Sequence, residues 1–187
     1  MEKKDLPAFS DDWYRMTGRK WESEKLRQKV FTFLNSHALR YLYTYRKVQR
    51  QEDPLGIFRL ILRLGKRNYG LEISSPYIGK GLYLGHPYNI SVCRNARIGS
   101  CCNLNKGASI VALPSENGEA APVIGNRVWI GVNAVIRGNV RVGDNVLIAP
   151  NAIVDRDIPS DSVVIGVPCQ IHTGRPDAVE GYINHVC

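Results

Sequence analysis

The sequence predicts a mainly β protein, a parallel β-solenoid preceded by an α-helical region, and three observations predict it. Ile124, Ile130, Ile136, Val142, Ile148 and Val154 follow one another at six-residue intervals without a slip. Two residues before five of them stands another small or medium apolar side chain: Val128, Ala134, Val140, Val146 and Ala152. Gly125, Gly131, Gly143 and Ala149 follow four of the six. A period of six matches neither a helical face nor a long hairpin strand; it describes a chain that turns a corner every six residues.

Within each short strand, positions two apart share a face, so Val128 and Ile130 point inward while Trp129 points out. Three strands close one triangular coil. Residues eighteen apart then stack, Ile124 on Val142, Ile130 on Ile148 and Ile136 on Val154, and each coil covers the apolar end of the last. Small residues after the main aliphatic one relieve crowding at the bend.

The elements follow in chain order as residues 1–70, helical; 71–171, solenoid; and 172–187, a tail without a readable repeat. In the first region Trp21 to Asn35 carries Leu26, Val30, Phe33 and Leu34 at amphipathic spacing. His37 to Gln51 carries Leu39, Leu42, Tyr43 and Tyr45. Pro54 and Gly56 permit a new start, and Ile57 to Arg67 alternates apolar and basic residues, with Gly65 and Gly70 as its expected ends. The solenoid opens with a further six-residue set, Ile78, Leu84 and Ile90, and continues with Ile98, Leu104 and Ile110. The step from Ile90 to Ile98 is eight residues, which predicts a wide corner there. Residues 111–122 are polar and bear Gly and Pro, the composition of a loop thrown out from a corner.

Composition bounds the function. With 44% hydrophobic and 22% charged residues the 187-residue chain is an ordinary folded domain, not a disordered one. Residues 1–70 hold sixteen Lys and Arg against eight Asp and Glu, so the net charge of +8 belongs to the helical region. No nucleic-acid motif accompanies that charge, and the chain is not expected to bind nucleic acid. A solvated helical face explains it most simply. Peripheral membrane contact through the basic helices is a second reading, because Phe58, Leu60, Ile61, Leu62 and Leu64 alternate with Arg59, Arg63, Lys66 and Arg67. No stretch approaches the ~20 apolar residues that cross a bilayer, and the N-terminus has no apolar core of a secretory signal. Cys93, Cys101, Cys102, Cys169 and Cys187 include no CxxC pair; they are expected to be reduced, Cys101 and Cys102 facing opposite ways on a strand, with no metal site. The expected location is the cytoplasm, with the inner face of the membrane as the alternative. Trp129, Val135, Leu147 and Ile153 are outward and apolar, which predicts a closed oligomer, a homotrimer alone or paired as a dimer of trimers.

Glu72-Ile73, the run Ile78-Gly79-Lys80-Gly81-Leu82-Tyr83-Leu84-Gly85-His86, Val128-Trp129-Ile130-Gly131, Asp157-Ile158-Pro159 and Val164-Ile165-Gly166-Val167-Pro168 together resemble the hexapeptide-repeat acyltransferase superfamily. Over residues 71–171 the resemblance is to its serine acetyltransferase-like branch, which includes polysaccharide O-acetyltransferases. It implies a left-handed β-helix, an exception to the usual right-handed crossover, and acetyl-CoA as cosubstrate without a metal. His86 matches the general base, which a hydroxyl nucleophile needs at neutral pH. Glu72 matches the carboxylate that orients such a base, although the segment from Ile73 to Ile78 is one residue short. Gly131, Val132, Ala149 and Pro150 match backbone positions along the CoA arm, Arg156 matches a basic position near its phosphates, and Trp129 lines the same groove or a subunit contact.

Two departures bear on the acceptor. Where serine acetyltransferases carry Asp before the base and a second His after the loop, this chain has Gly85 and Ala121. The expectation is therefore an acetyl-CoA-dependent O-acetyltransferase for a sugar or surface-glycan hydroxyl, with Tyr88, Asn89, Glu116 and Glu119 as candidate acceptor contacts. Serine O-acetylation for cysteine biosynthesis is the alternative, and would gain from a second acidic or imidazole side chain at the pocket. A silent scaffold is the third reading, and a zinc hydratase is disfavoured because the solenoid has one histidine before its end.

Overall fold

The computed structural model describes residues 8–116 and 118–185, with only the backbone of Glu119. Strands of two to four residues stack in parallel into three faces of a β-helix. The first face holds Glu72–Ile73, Ser91–Val92, Ser109–Val111, Val135–Arg137 and Ile153–Val154; the second holds Tyr77–Ile78, Arg97–Ile98, Val123–Ile124 and Arg141–Val142. The third holds Tyr83–Gly85, Asn103–Asn105, Trp129–Ile130, Val146–Ile148 and Ser162–Ile165, closed by an antiparallel strand at Gln170–His172. This is the left-handed β-helix architecture of hexapeptide repeats.

The predicted stacking is the observed register: Ile124 pairs with Val142, Ile130 with Ile148 and Ile136 with Val154. Each of these side chains is at most 3% exposed, and the flanking Val128, Ala134, Val146 and Ala152 are fully buried. Burial of one such aliphatic is worth about 1.5–3 kcal/mol, so the prism is held by apolar columns. The glycines form a column of their own: a Cβ on Gly125 would lie 2.8 Å from the backbone of Gly143 one coil on.

The early frame differs from the sequence reading. Ile73 pairs with Val92 and Val92 with Ile110, so Val92 is the stacked residue and Ile90 the flanking one. The eight-residue step therefore runs from Leu84 to Val92, and the wide corner is the one that carries His86. Residues 111–122 leave a corner as a hairpin of Leu113–Ser115 and Gly118–Ala120.

Four helices precede the solenoid: α1 at Phe9–Thr17, α2 at Leu26–Asn35, α3 at His37–Gln49 and α4 at Ile57–Tyr69. Trp21–Ser23 is a 3₁₀ turn rather than the start of a long helix. The Asp53 carboxylate caps α4, accepting from the backbone N–H groups of Phe58 and Arg59 at 3.0 Å each. Gly65 does not end α4. It lies inside the helix because a Cβ there would come within 3.1 Å of the Tyr41 ring, and only Gly70, at φ 66°, terminates it. The apolar stripe of α2 faces outward: Leu26, Val30 and Leu34 are exposed while Phe33 meets Phe9 and Tyr43.

The first coil needs a cover, since an open solenoid end bares apolar side chains and unpaired carbonyls. α1 and α3 supply it. Arg46 of α3, 1% exposed, donates to the carbonyls of Ile78 at 2.9 Å and Gly79 at 2.7 Å. It also forms a two-pronged ion pair with the buried Asp12 of α1, at 2.6 and 2.8 Å. Asp12 in turn accepts from the Leu82 N–H at 2.8 Å, and the Tyr45 hydroxyl donates to the Ser75 carbonyl at 2.6 Å. The basic charge of this region is thus not wholly a solvated face, because Arg15 and Arg46 are both buried.

The tail turns back along the third face. Ala178, Val179 and Ile183 pack on Leu147 with Trp129, Ala149 and Val163 around them. Two of the four outward apolar residues, Trp129 and Leu147, are therefore covered by the chain itself, while Val135 and Ile153 stay half-buried on the first face. The cysteine expectation also changes. Cys101 is disulfide-bonded and sits in a left-handed corner at φ 58°, not in a strand. Cys93, Cys102 and Cys169 are free, and Cys187 lies outside the described residues.

Candidate functional site

The widened corner presents His86 at φ 47°. Left-handed residues recur at many corners of this solenoid, so the conformation belongs to the coil and is not special strain at the histidine. His86 borders a cavity of about 270 Å³ that α1, the third face and the tail enclose together. Tyr83 and Gly85 come from the strand before it, and Asn103 and Asn105 stack one coil further on, opposite Tyr83 and Gly85. Asn105 fills the space a side chain at position 85 would need, since a Cβ there would collide with its amide oxygen. Asn105 also donates to the Ile130 carbonyl at 2.7 Å. Arg15 reaches in from α1, and Tyr182, Asn184 and His185 from the tail. The Asn103 amide is tied to both, to the Arg15 guanidinium and to the Tyr182 carbonyl at 3.2 Å.

Trp129 and Tyr182, whose rings lie 5.1 Å apart edge to face, also border a second cavity of about 680 Å³. Leu147, Ala149, Pro150 and Val163 form its floor, and Arg175, Asp177 and Ala178 of the tail its far wall. The two cavities share a wall.

The expected site residues separate on this geometry. Trp129, Ala149 and Pro150 are brought together in the second cavity. Gly131 and Val132 lie one coil before Ala149 and Pro150, and Gly131 is needed there for packing, because a Cβ would stand 2.5 Å from the Pro150 nitrogen. Arg156 is exposed and pairs with Asp155 at 3.2 Å, outside the lining of both cavities. The Glu72 carboxylate is not brought to His86: it holds Lys66 of α4 at 2.6 Å and lines a different groove, beside Arg63 and Ser91. Among the described residues the His86 side chain makes no hydrogen bond. Tyr88 joins an aromatic cluster with His37 and Tyr69 at 5.1 and 5.9 Å, and Asn89 packs against Gly70; neither lines the His86 cavity. Glu116 is exposed in the hairpin turn, away from it, and the side chain of Glu119 lies outside the described residues.

Sequence reasoning does not reach Arg15, Asn103, Asn105, Asn184 and His185, which also line the His86 cavity. Asn103 and Asn105 do carry a signal, two polar residues flanking the inward Leu104 next to the base. Arg15 and His185 carry none, because only the tertiary fold brings them in. No three His, Cys, Asp or Glu side chains among the described residues converge as metal ligands would.

The comparisons agree with this architecture. Residues 121–156 match the family described as bacterial transferase hexapeptide (six repeats). A serine acetyltransferase of Synechococcus elongatus is 30% identical over 114 residues, covering 60% of this chain and 47% of that protein. One from Staphylococcus aureus is 26% identical over 171 residues, covering 84% of this chain and 80% of that one. The crystal structure of the Neisseria gonorrhoeae serine acetyltransferase superposes with a TM-score of 0.73 at 23% identity, over 91% of this chain and 67% of that one. The chain thus spans about half the length of the Synechococcus relative. Residues 121–156 thus carry the hexapeptide repeat, and the fold is the left-handed β-helix that hexapeptide-repeat acyltransferases share. Among these, the similarity is to the serine acetyltransferases.

Proposed function

We propose that the protein is an acetyl-CoA-dependent O-acetyltransferase in which His86 is the general base. The observation that carries this is the pair of cavities sharing the Trp129–Tyr182 wall, one holding His86 and the other bordered by Ala149 and Pro150, the positions expected for the CoA arm. An acceptor hydroxyl in the smaller cavity gives its proton to the imidazole as its oxygen attacks the thioester carbonyl. The C–S bond then breaks, and the imidazolium returns the proton to the departing thiolate, leaving an ester and free CoA. No cysteine is needed as a nucleophile.

Of the acceptors, serine is the reading the relatives favour, since the proteins this chain resembles are named serine acetyltransferases. His185 adds the second imidazole that the sequence lacked at Ala121. A sugar hydroxyl remains the competing reading from the sequence. The working form is taken to be a homotrimer, as a triangular prism with half-buried Val135 and Ile153 on one face suits three-fold packing.

Membrane contact is proposed for α4, whose Ile57, Leu60, Ile61 and Leu64 form an exposed stripe beside Arg59 and Arg63. Retention on anionic vesicles that salt reverses is its test, and equal binding to neutral vesicles contradicts it.

For the main reading, thiol release from acetyl-CoA is followed with serine, simple sugars and oligosaccharides as acceptors. Acceptor-dependent release supports it. No release and no acetyl-CoA binding refute it.

A further inference from the structure

The His86 imidazole has no orienting partner of its own. Its ring makes no hydrogen bond among the described residues, and Glu72 holds Lys66 instead. A base on such a ring is only as well placed as the backbone that carries it. That backbone is the wide corner between Leu84 and Val92. The next coil holds part of it, the Lys106 N–H donating to the Gly85 carbonyl and the Gly107 N–H to the Tyr88 carbonyl, each at 2.9 Å. The Pro87 carbonyl and the Asn89 N–H are met by the helices.

Tyr69, the last residue of α4, accepts from the Asn89 N–H at 2.9 Å through its own carbonyl. Gly70 beside it lacks the Cβ that would strike Asn89. His37, the first residue of α3, has its Nε2 3.4 Å from the Pro87 carbonyl; since a carbonyl only accepts, that nitrogen donates. The same ring stacks on Tyr69, with centroids 4.6 Å apart and planes 20° from parallel, and meets the Tyr88 ring at 5.1 Å. Ser36 fixes where α3 begins, its hydroxyl accepting from the Leu39 N–H at 3.2 Å. One imidazole thus touches the two residues that follow His86 and the end of α4.

Resting on the acyltransferase reading above, we propose that His37 is a positioning residue for His86. Its ring holds Pro87 and Tyr88 against α4, so the backbone at His86 keeps the angle that turns the base toward the cavity. His37 does not line that cavity, and it neither touches a reactant nor moves a proton.

The test measures acetyl transfer, amide hydrogen exchange and the unfolding midpoint on the full-length protein and two variants. His37→Ala removes both the donor and the stacked ring. It is expected to lower kcat per folded molecule by about 10-fold, inside the ~10²-fold that a misplacement of about 1 Å can cost. The acetyl-CoA KM stays near the wild-type value, and the amides of His86, Tyr88 and Asn89 exchange faster. Tyr88→Ala changes an exposed side chain and is expected to move kcat and the same amides in the same direction by less. Where His37→Ala fails to fold, Tyr88→Ala decides. Wild-type kcat in the folded variant overturns the positioning role, and so does wild-type exchange at these three amides; either result leaves the acyltransferase reading standing. A wild-type protein silent with every acceptor overturns both.

Discussion

Cys102 is fully buried, its thiol directed at the Gly125 carbonyl at 3.3 Å, and burial pushes it up to about 12. Alkylation needs the thiolate, so at pH 8 iodoacetamide is expected to label the half-buried Cys93 while sparing Cys102, and unfolding should abolish the difference on a mass spectrum. Equal labelling in the folded protein would contradict this packing. Glu72 makes a sharper case at the same scale. Its partner is Lys66 on the protein surface, so Glu72→Gln should leave turnover within a few-fold of wild type. A collapse comparable to losing the base would restore the carboxylate–imidazole pairing that the sequence suggested. His86 was legible because a motif surrounds it. Arg15 and His185 were not, because nothing local marks a residue whose role comes from a distant chain segment folding over it.

Among the elements, the solenoid was readable for a simple physical reason: its stacking repeats the same demand every six residues, so six hits reinforce one another. Ile136 sits in such a column with no exposed surface, and Ile136→Ala should cost about 2–5 kcal/mol in chemical denaturation. Two-residue irregularities are harder to place. The wide corner lies one step before the place the spacing predicts, because Ile90 and Val92 are both buried apolar residues and only pairing to Ile73 and Ile110 tells them apart. The helices illustrate another limit. Leu26, Val30 and Leu34 have a core-like spacing, yet spacing fixes which residues share a face and not what that face meets. The cap on the first coil depends on a polar contact between α1 and α3. Arg46→Ala leaves Asp12 buried and unpaired, and should destabilise by about 3–5 kcal/mol. A loss below 1 kcal/mol would mean that the helices add little to the solenoid end.

For the whole molecule, the tail lines both cavities. Removing residues 175–187 would uncover Trp129 and Leu147, so the truncated protein should remain folded by circular dichroism while acetyl transfer is lost and tryptophan emission shifts to the red. Unchanged activity would separate the tail from the chemistry. Sedimentation equilibrium should give three times the 21.0 kDa chain mass, or six times if trimers pair, whereas a monomer would contradict the three-fold packing.

The proposed chemistry occurs where His86 faces the cavity closed by α1 and the tail. It is tested most directly by steady-state acetyl transfer from acetyl-CoA to serine by the wild-type protein and by His86→Ala, with folding checked in parallel. A fall of ~10² or more in kcat is expected, the usual contribution of a general base, with the acetyl-CoA KM and the unfolding midpoint nearly unchanged. A folded His86→Ala protein that turns over at the wild-type rate would contradict it and move the active centre elsewhere on the prism.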